Sequence, residues 1–188
     1  AYEIKECDWS SDVCSSDLPD SWFAEALREL RRARGAVAAK AGPQALSRVI
    51  ESQAATLAAL SVLDRGLCVD FLFGQPSKGY FDFAARHPGL IARMANAAID
   101  AIEDGQASKV ARATPTDADF TLLEAALAKG GLNKAEIEAL LDGRHPDPPI
   151  PDDRLCEAGV IYLDALKRMP EEPRLRLYAL AVELMAKF

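Results

Sequence analysis

Between residues 19 and 188, four cysteine and histidine side chains have the chemistry to hold zinc or to act as nucleophile and base: Cys68, His87, His145 and Cys156. Structural zinc sites pair their ligands a few residues apart, so that one turn presents two of them to the same metal. None of the four is paired in that way. A cysteine nucleophile needs a base within reach, yet both cysteines directly follow leucine in apolar stretches, the setting of buried core cysteines. Both histidines precede proline, where a turn or a helix cap is the ordinary role. Gly74 and Gly79 have the glycine spacing of a phosphate loop. That chemistry requires Lys and Ser or Thr directly after the second glycine; here Tyr80 and Phe81 follow it, and Lys78 precedes it. No catalytic residue, metal or cofactor is assigned.

The stretch from Phe71 to His87 gathers Phe71, Phe73, Tyr80, Phe81 and Phe83 with charged residues between them. A loop carrying rings and charges can be a recognition surface, and its candidate contact residues are Asp70, Lys78, Tyr80, Asp82, Arg86 and His87. The competing role is structural, with the rings folded back to close one end of a helical bundle. Convergence of the polar groups on one concavity would favour a ligand site; outward dispersal would favour the structural role. A second cluster, Arg28, Arg31, Arg32 and Arg34 with Lys40 and Arg48 beyond, is interleaved with Glu25 and Glu29. It lacks the reading or stacking groups of a nucleic-acid footprint and is taken as a solvated face.

These residues sit in a chain that begins oddly. The run from Asp8 to Leu18, with Ala1–Ile4 ahead of it, resembles the in-frame translation of a common sequencing adapter. Residues 1–18 are therefore set aside as non-native and expected to be disordered, and the natural N-terminus of residues 19–188 is expected to be missing. The segment holds five acids and one lysine, so residues 19–188 carry a net charge of −3 where the whole chain carries −7. Near neutrality gives no reason to expect nucleic acid as a partner. The apolar run from Ala54 to Leu63 is interrupted by Thr56 and Ser61, so the visible chain holds no membrane span.

Setting the segment aside also leaves Cys68 and Cys156 as the only cysteines. An even pair is what an exported protein keeps, and also what two unrelated buried thiols look like. A bond between them requires Cα atoms within about 7 Å, and would favour a periplasmic or secreted location over a cytoplasmic one.

The elements that must position these residues read as helical throughout: residues 19–188 are rich in Ala and Leu, with few β-branched residues. A first helix covers 21–41, with Trp22, Ala26, Leu30, Ala33 and Val37 on one stripe, and Gly42-Pro43 stops it. A second begins near Gln44 with a seam of Leu46, Ile50, Leu57 and Leu60, and Gly66 bends or ends it. Pro88 opens another, which runs to Gly105 with Leu90, Met94, Ala98 and Ile102 four apart. Thr116 with Asp119, and Asn133 with Glu136, read as capping boxes, the second with Leu132 and Ile137 as a staple. Pro146, Pro148, Pro149 and Pro151 make a stiff link to a helix ending at Met169, and Pro170–Pro173 turn the chain into the last one. The expectation is an all-α domain of six to eight helices ending in an antiparallel pair. Leu155, Leu163, Leu166, Leu177, Leu180 and Leu184 are expected in its core.

Two short likenesses stand beside this reading. Leu132–Gly143 is similar to the short N-terminal recognition helix of flagellar switch proteins, which implies a response regulator as partner. The likeness covers twelve residues in mid-chain, and cap, staple and closing glycine account for it as a plain helix. Gly159 and Tyr162 match one corner of a tetratricopeptide repeat, but the roughly 34-residue self-similarity of that family does not follow. The functional expectation is a non-catalytic helical domain acting through a protein partner, the C-terminal part of a longer, envelope-associated protein. The alternative is a small enzyme or ligand-binding protein with a pocket near residues 70–87.

Overall fold

The computed structural model describes residues 29, 32–75, 77–143 and 147–186. The expectations for residues 1–18, Trp22, Ala26, Leu30, Arg28, Arg31, His145 and Pro146 fall outside them. The described residues form helices and connecting loops without a strand, so the protein is all-α. Nine helical segments follow one another: α1 (residues 32–38), α2 (Pro43–Leu63), α3 (Arg65–Leu72), α4 (Lys78–Arg86), α5 (Pro88–Ser108), α6 (Asp117–Lys129), α7 (Lys134–Asp142), α8 (Asp152–Arg168) and α9 (Glu171–Met185). The ninth, beyond the six to eight expected, is α4, which lies where the sequence reads as a loop.

Local chemistry explains most boundaries. Pro43 and Pro88 stand in the first turns of α2 and α5, where a missing N–H costs nothing. Thr116 donates its backbone N–H to the Asp119 carboxylate (2.8 Å), and Asn133 does the same to Glu136 (2.8 Å). Gly143 closes α7 at φ 63°, a left-handed conformation that costs glycine little. One break is displaced from its expected place. It comes at Asp64 rather than Gly66, because the Asp64 side chain accepts from the Leu67 N–H (3.0 Å) and starts α3 there.

Helix α2 is the hub, in contact with α3, α5, α8 and α9. Its seam is buried as expected: Leu46, Ile50 and Leu60 are fully enclosed and Leu57 nearly so. Helix α5 packs on a different face from the one its large residues suggest. Its buried positions are Ala97, Ala101 and Gly105, with Ala98 exposed and Ile102 only half-buried. Small residues bring backbones together, and a Cβ at Gly105 would stand 2.1 Å from the Val37 carbonyl oxygen of α1. The irregular link after α5 is pinned beneath that contact, through Val110 N–H to Lys40 O (2.9 Å) and Arg112 Nη1 to Ala39 O (3.1 Å).

In the C-terminal pair, Leu155, Leu163, Leu166 and Leu177 are buried, as expected. Leu180 is half-buried and Leu184 is exposed, which corrects the expectation for these two. Helix α9 turns Leu177, Tyr178 and Val182 inward instead, so its later leucines fall off the buried face.

Candidate interaction surface on helices α3 and α4

Ser77 starts α4 by accepting the Tyr80 N–H (3.3 Å), which carries Lys78 and Gly79 into the helix rather than leaving them in a loop. Gly79 packs closely on Leu67 of α3, where a Cβ would come within 2.7 Å of a Leu67 methyl. The two glycines once comparable to a phosphate loop therefore serve a turn and a helix contact. Gly74, at φ 66°, is the turn.

From this start the rings of 71–87 divide by side. Phe83 is buried, Phe71 stacks on Tyr80 (5.8 Å between centroids), Tyr80 lies 6.2 Å from Phe83, and His87 lies 4.5 Å from Phe83. Burial pushes the Tyr80 hydroxyl above its ordinary pKa. The opposite side of α4 carries Lys78, Phe81, Asp82, Ala85 and Arg86, all exposed, with Phe81 65% open. Arg86 turns its Nε back to the Asp82 carbonyl (3.2 Å) of its own helix. Asp70 is half-buried on α3, and its carbonyl accepts the Gln75 N–H (2.8 Å). Of the six candidate contact residues, Tyr80 and His87 thus join the inner ring group, while Lys78, Asp82 and Arg86 share an outer face.

Cys68 and Cys156 lie beside this group, both fully enclosed, with Cα atoms 5.6 Å apart and their sulfurs bonded. The bond ties α3 to α8 across a sequence separation of 88 residues. Gly159 explains how the helices come so near, since a Cβ there would stand 2.8 Å from a Leu72 methyl. That contact is the role of the glycine resembling a repeat corner. With both thiols in the bond and the His87 ring on Phe83, neither cysteine is free to act as a nucleophile here. Among the described residues no group of three or more His, Cys, Asp or Glu could hold a metal ion.

Two concavities stand out among the described residues, and neither reaches 70–87. One, of about 520 Å³, lies between α2 and α5 and is lined by Arg48, Glu51, Arg93, Asn96 and Asp100 among others. The other, of about 230 Å³ and mainly apolar, lies among α1, α2, α5 and α9. The basic cluster of the first helix is dispersed where it is described: Arg32 pairs with Glu29 (2.7 Å), and Arg48 with Asp100 (3.5 Å).

Two ion pairs are not legible in the sequence. Arg176 of α9 holds the Asp119 carboxylate through Nε (2.8 Å) and Nη2 (2.7 Å). Arg154 of α8 holds Glu136 through Nε and Nη2 (3.0 Å), and also reaches Glu157 and the Gly131 carbonyl. In each case the acid of a capping box anchors an arginine from the C-terminal pair. Hydrogen bonding from Arg176 holds Asp119 well below the ordinary carboxylate range, and that from Arg154 lowers Glu136. Helix α7 is in this way locked to α8, with Leu132, Glu136 and Ala139 buried. No protein-family model matches this chain, and neither does any curated protein or solved structure.

Proposed function

We propose that this is a non-catalytic helical domain that works by binding another protein, through the outer face of α4 around Phe81. The observation that carries this reading is the division of residues 71–87 into two sides. Phe71, Tyr80, Phe83 and His87 turn inward as a ring group, while Lys78, Asp82 and Arg86 stand on the outer face beside an open Phe81. An aromatic side chain ringed by charges is a common anchor at protein interfaces, where a few residues supply most of the affinity. The alternative, an enzyme or ligand-binding protein with a pocket at 70–87, has less support, since neither of the two concavities described above reaches that stretch.

The bonded pair Cys68–Cys156 supports a place for this domain in an oxidising compartment, periplasmic or secreted, where such bonds persist. The experiment is site-specific photocrosslinking in cells of the source organism, with the reactive group at Phe81 and a control at exposed Glu124. A discrete adduct at Phe81 alone is expected, competed by added wild-type chain but not by Phe81→Asp. Equal competition by the two chains, or no adduct specific to Phe81, overturns the reading.

A further inference from the structure

The larger cavity, of about 520 Å³ between α2 and α5, is hollow because small side chains make its floor. Gly89, Ala92 and Ala97 of α5 line it, and nothing stands within 4 Å of the place a Cβ would take at Gly89. From α2 the floor is Ser52, which is buried; its hydroxyl donates to the Val49 carbonyl (2.7 Å) and keeps its lone pairs to accept. A hollow of this volume has the size of a small-molecule site.

Its rim carries both signs of charge. Helices α2 and α5 run antiparallel here, since the Gly42 N–H donates to Asp104 and Arg48 pairs with Asp100 at 3.5 Å. That register sets Glu51 and Ser52 of α2 level with Asn96 and Ala97 of α5, and Arg93 about one turn nearer the start of α5. Arg48 and Asp100 answer each other. Glu51 and Arg93 are exposed and line the same hollow, yet neither has an ion-pair partner among the described residues. Elsewhere on the surface opposite charges do meet, as Arg32 meets Glu29 (2.7 Å) and Lys167 meets Asp164 (2.8 Å). Two opposite charges that face one hollow and stay apart leave room for a group that bridges them.

We infer that this cavity binds a small zwitterion of dipeptide size, with its ammonium at Glu51 and its carboxylate at Arg93. A lone anion would meet Glu51 and Asp100 as well as Arg93, and a lone cation would meet Arg48 and Arg93 as well as Glu51. A molecule carrying both charges answers each side. An ammonium donates three protons, and the Glu51 carboxylate, the Ser52 hydroxyl and the Asn96 side-chain oxygen offer three acceptors at one level of the hollow. The Arg93 guanidinium can hold a carboxylate through two parallel N–H donors. From Asn96 to Arg93 the helix rises about 4.5 Å, and the offset across the groove from Glu51 adds to it. An α-amino acid holds its charges only about 2.5 Å apart, an extended dipeptide about 6 Å, so the dipeptide fits the spacing. This goes beyond the reading above, because it concerns α2 and α5 rather than α4, and a small molecule rather than a protein.

Titration of the full chain with L-alanyl-L-alanine, followed by two-dimensional NMR, tests it. Saturable shifts are expected at the amides of Ser52, Gly89 and Asn96, with a dissociation constant of roughly 0.1–1 mM. The N-acetylated dipeptide, which lacks the ammonium, and the dipeptide amide, which lacks the carboxylate, should each bind about 10-fold more weakly, as loss of a charged hydrogen-bonding group does. Glu51→Gln should weaken the dipeptide but not the N-acetylated form, and Arg93→Gln should weaken the dipeptide but not the amide. Ala92→Phe, which fills the hollow from an exposed position, should abolish binding with the circular dichroism unchanged. No saturable shift, equal binding of the blocked forms, or binding indifferent to Glu51→Gln and Arg93→Gln overturns the inference. L-Alanine binding as tightly as the dipeptide overturns the spacing assigned to the two charges. The two proposals separate cleanly: Phe81→Asp should leave the dipeptide titration intact, and Ala92→Phe should leave the crosslinks at Phe81 intact.

Discussion

Asp119 and Arg176 stand 57 residues apart in the sequence and form a two-pronged ion pair, at 2.7 and 2.8 Å, that fastens the start of α6 to α9. The same carboxylate accepts the Thr116 N–H, so one side chain both starts a helix and docks it. Glu136 repeats the arrangement with Arg154, eighteen residues on, between α7 and α8. The paired acids give the C-terminal half of the domain a shared electrostatic dependence.

That dependence predicts acid sensitivity with a definite sign. Both carboxyls have folded-state pKa values lowered from the ordinary one, chiefly by their arginines. A lowered folded pKa adds stability that is complete above the unfolded value, about 4, and drains away as pH falls through the folded value. Urea unfolding of the wild type should therefore lose stability steadily from about pH 5 downward. Arg176→Gln should be less stable at pH 7 and lose less over the same acid range. Parallel pH profiles for the two proteins would remove Arg176 as the cause.

The bond between Cys68 and Cys156 predicts a large difference between oxidised and reduced protein. Closing a loop of this length is worth roughly 4–5 kcal/mol against the unfolded chain in the entropic model, less any native strain. Cys68→Ala, Cys156→Ala and the double variant should lose similar amounts, since either single change removes the whole bond. Denaturation with and without reductant checks it, and reductant should leave the double variant unaffected. Because both sulfurs are enclosed, reduction of the native protein should need local opening and be slow beside that of the unfolded chain.

Leu166 is 1% exposed on α8. Truncating a leucine so enclosed removes its transfer free energy and leaves a cavity, so Leu166→Ala should cost about 2–5 kcal/mol. Leu184→Ala, on the exposed last turn of α9, should stay within about 0.5 kcal/mol of wild type. Thermal or urea midpoints for the two will show whether the buried face of α9 runs through Val182 rather than Leu184.

What could be read in advance was local, and what could not was a matter of partners. Pro43, Pro88, Asn133 and Gly143 mark helix ends by their own backbone chemistry, so those boundaries stood in the sequence. Helix α4 was hidden because it is nine residues long, aromatic, and carries in its first turn a glycine, Gly79, that reads as a loop. The buried face of α5 was hidden because close packing selects its small residues, while the eye follows Leu90, Met94 and Ile102. The Cys68–Cys156 pairing could be posed only as an alternative, since nothing along the chain says that α3 meets α8. The choice of Arg176 for Asp119, and of Arg154 for Glu136, has no sequence signal at all. Within the stretch 71–87 that the sequence singles out, the division into an inner ring group and an outer charged face needed the helix.

The glycines of α5 supply the last prediction, because two opposing effects must be weighed. Replacing a helical glycine by alanine ordinarily gains about 0.5–1 kcal/mol through reduced freedom of the unfolded chain. At Gly89 nothing lies within 4 Å of the position a Cβ would take, so Gly89→Ala should show that gain undiluted. At Gly105 the added carbon would meet the Val37 carbonyl oxygen at 2.1 Å and its carbon at 2.9 Å. Those atoms are backbone and cannot rotate away, so α1 and α5 must separate, carrying the pinned link at Val110 and Arg112 with them. Overpacking of this kind costs about 1–3 kcal/mol, enough to exceed the helical gain. Gly105→Ala should therefore be destabilising and Gly89→Ala mildly stabilising by urea denaturation, although both make the same chemical change in the same helix. Equal shifts of the same sign would mean that α1 does not press on α5 at Gly105.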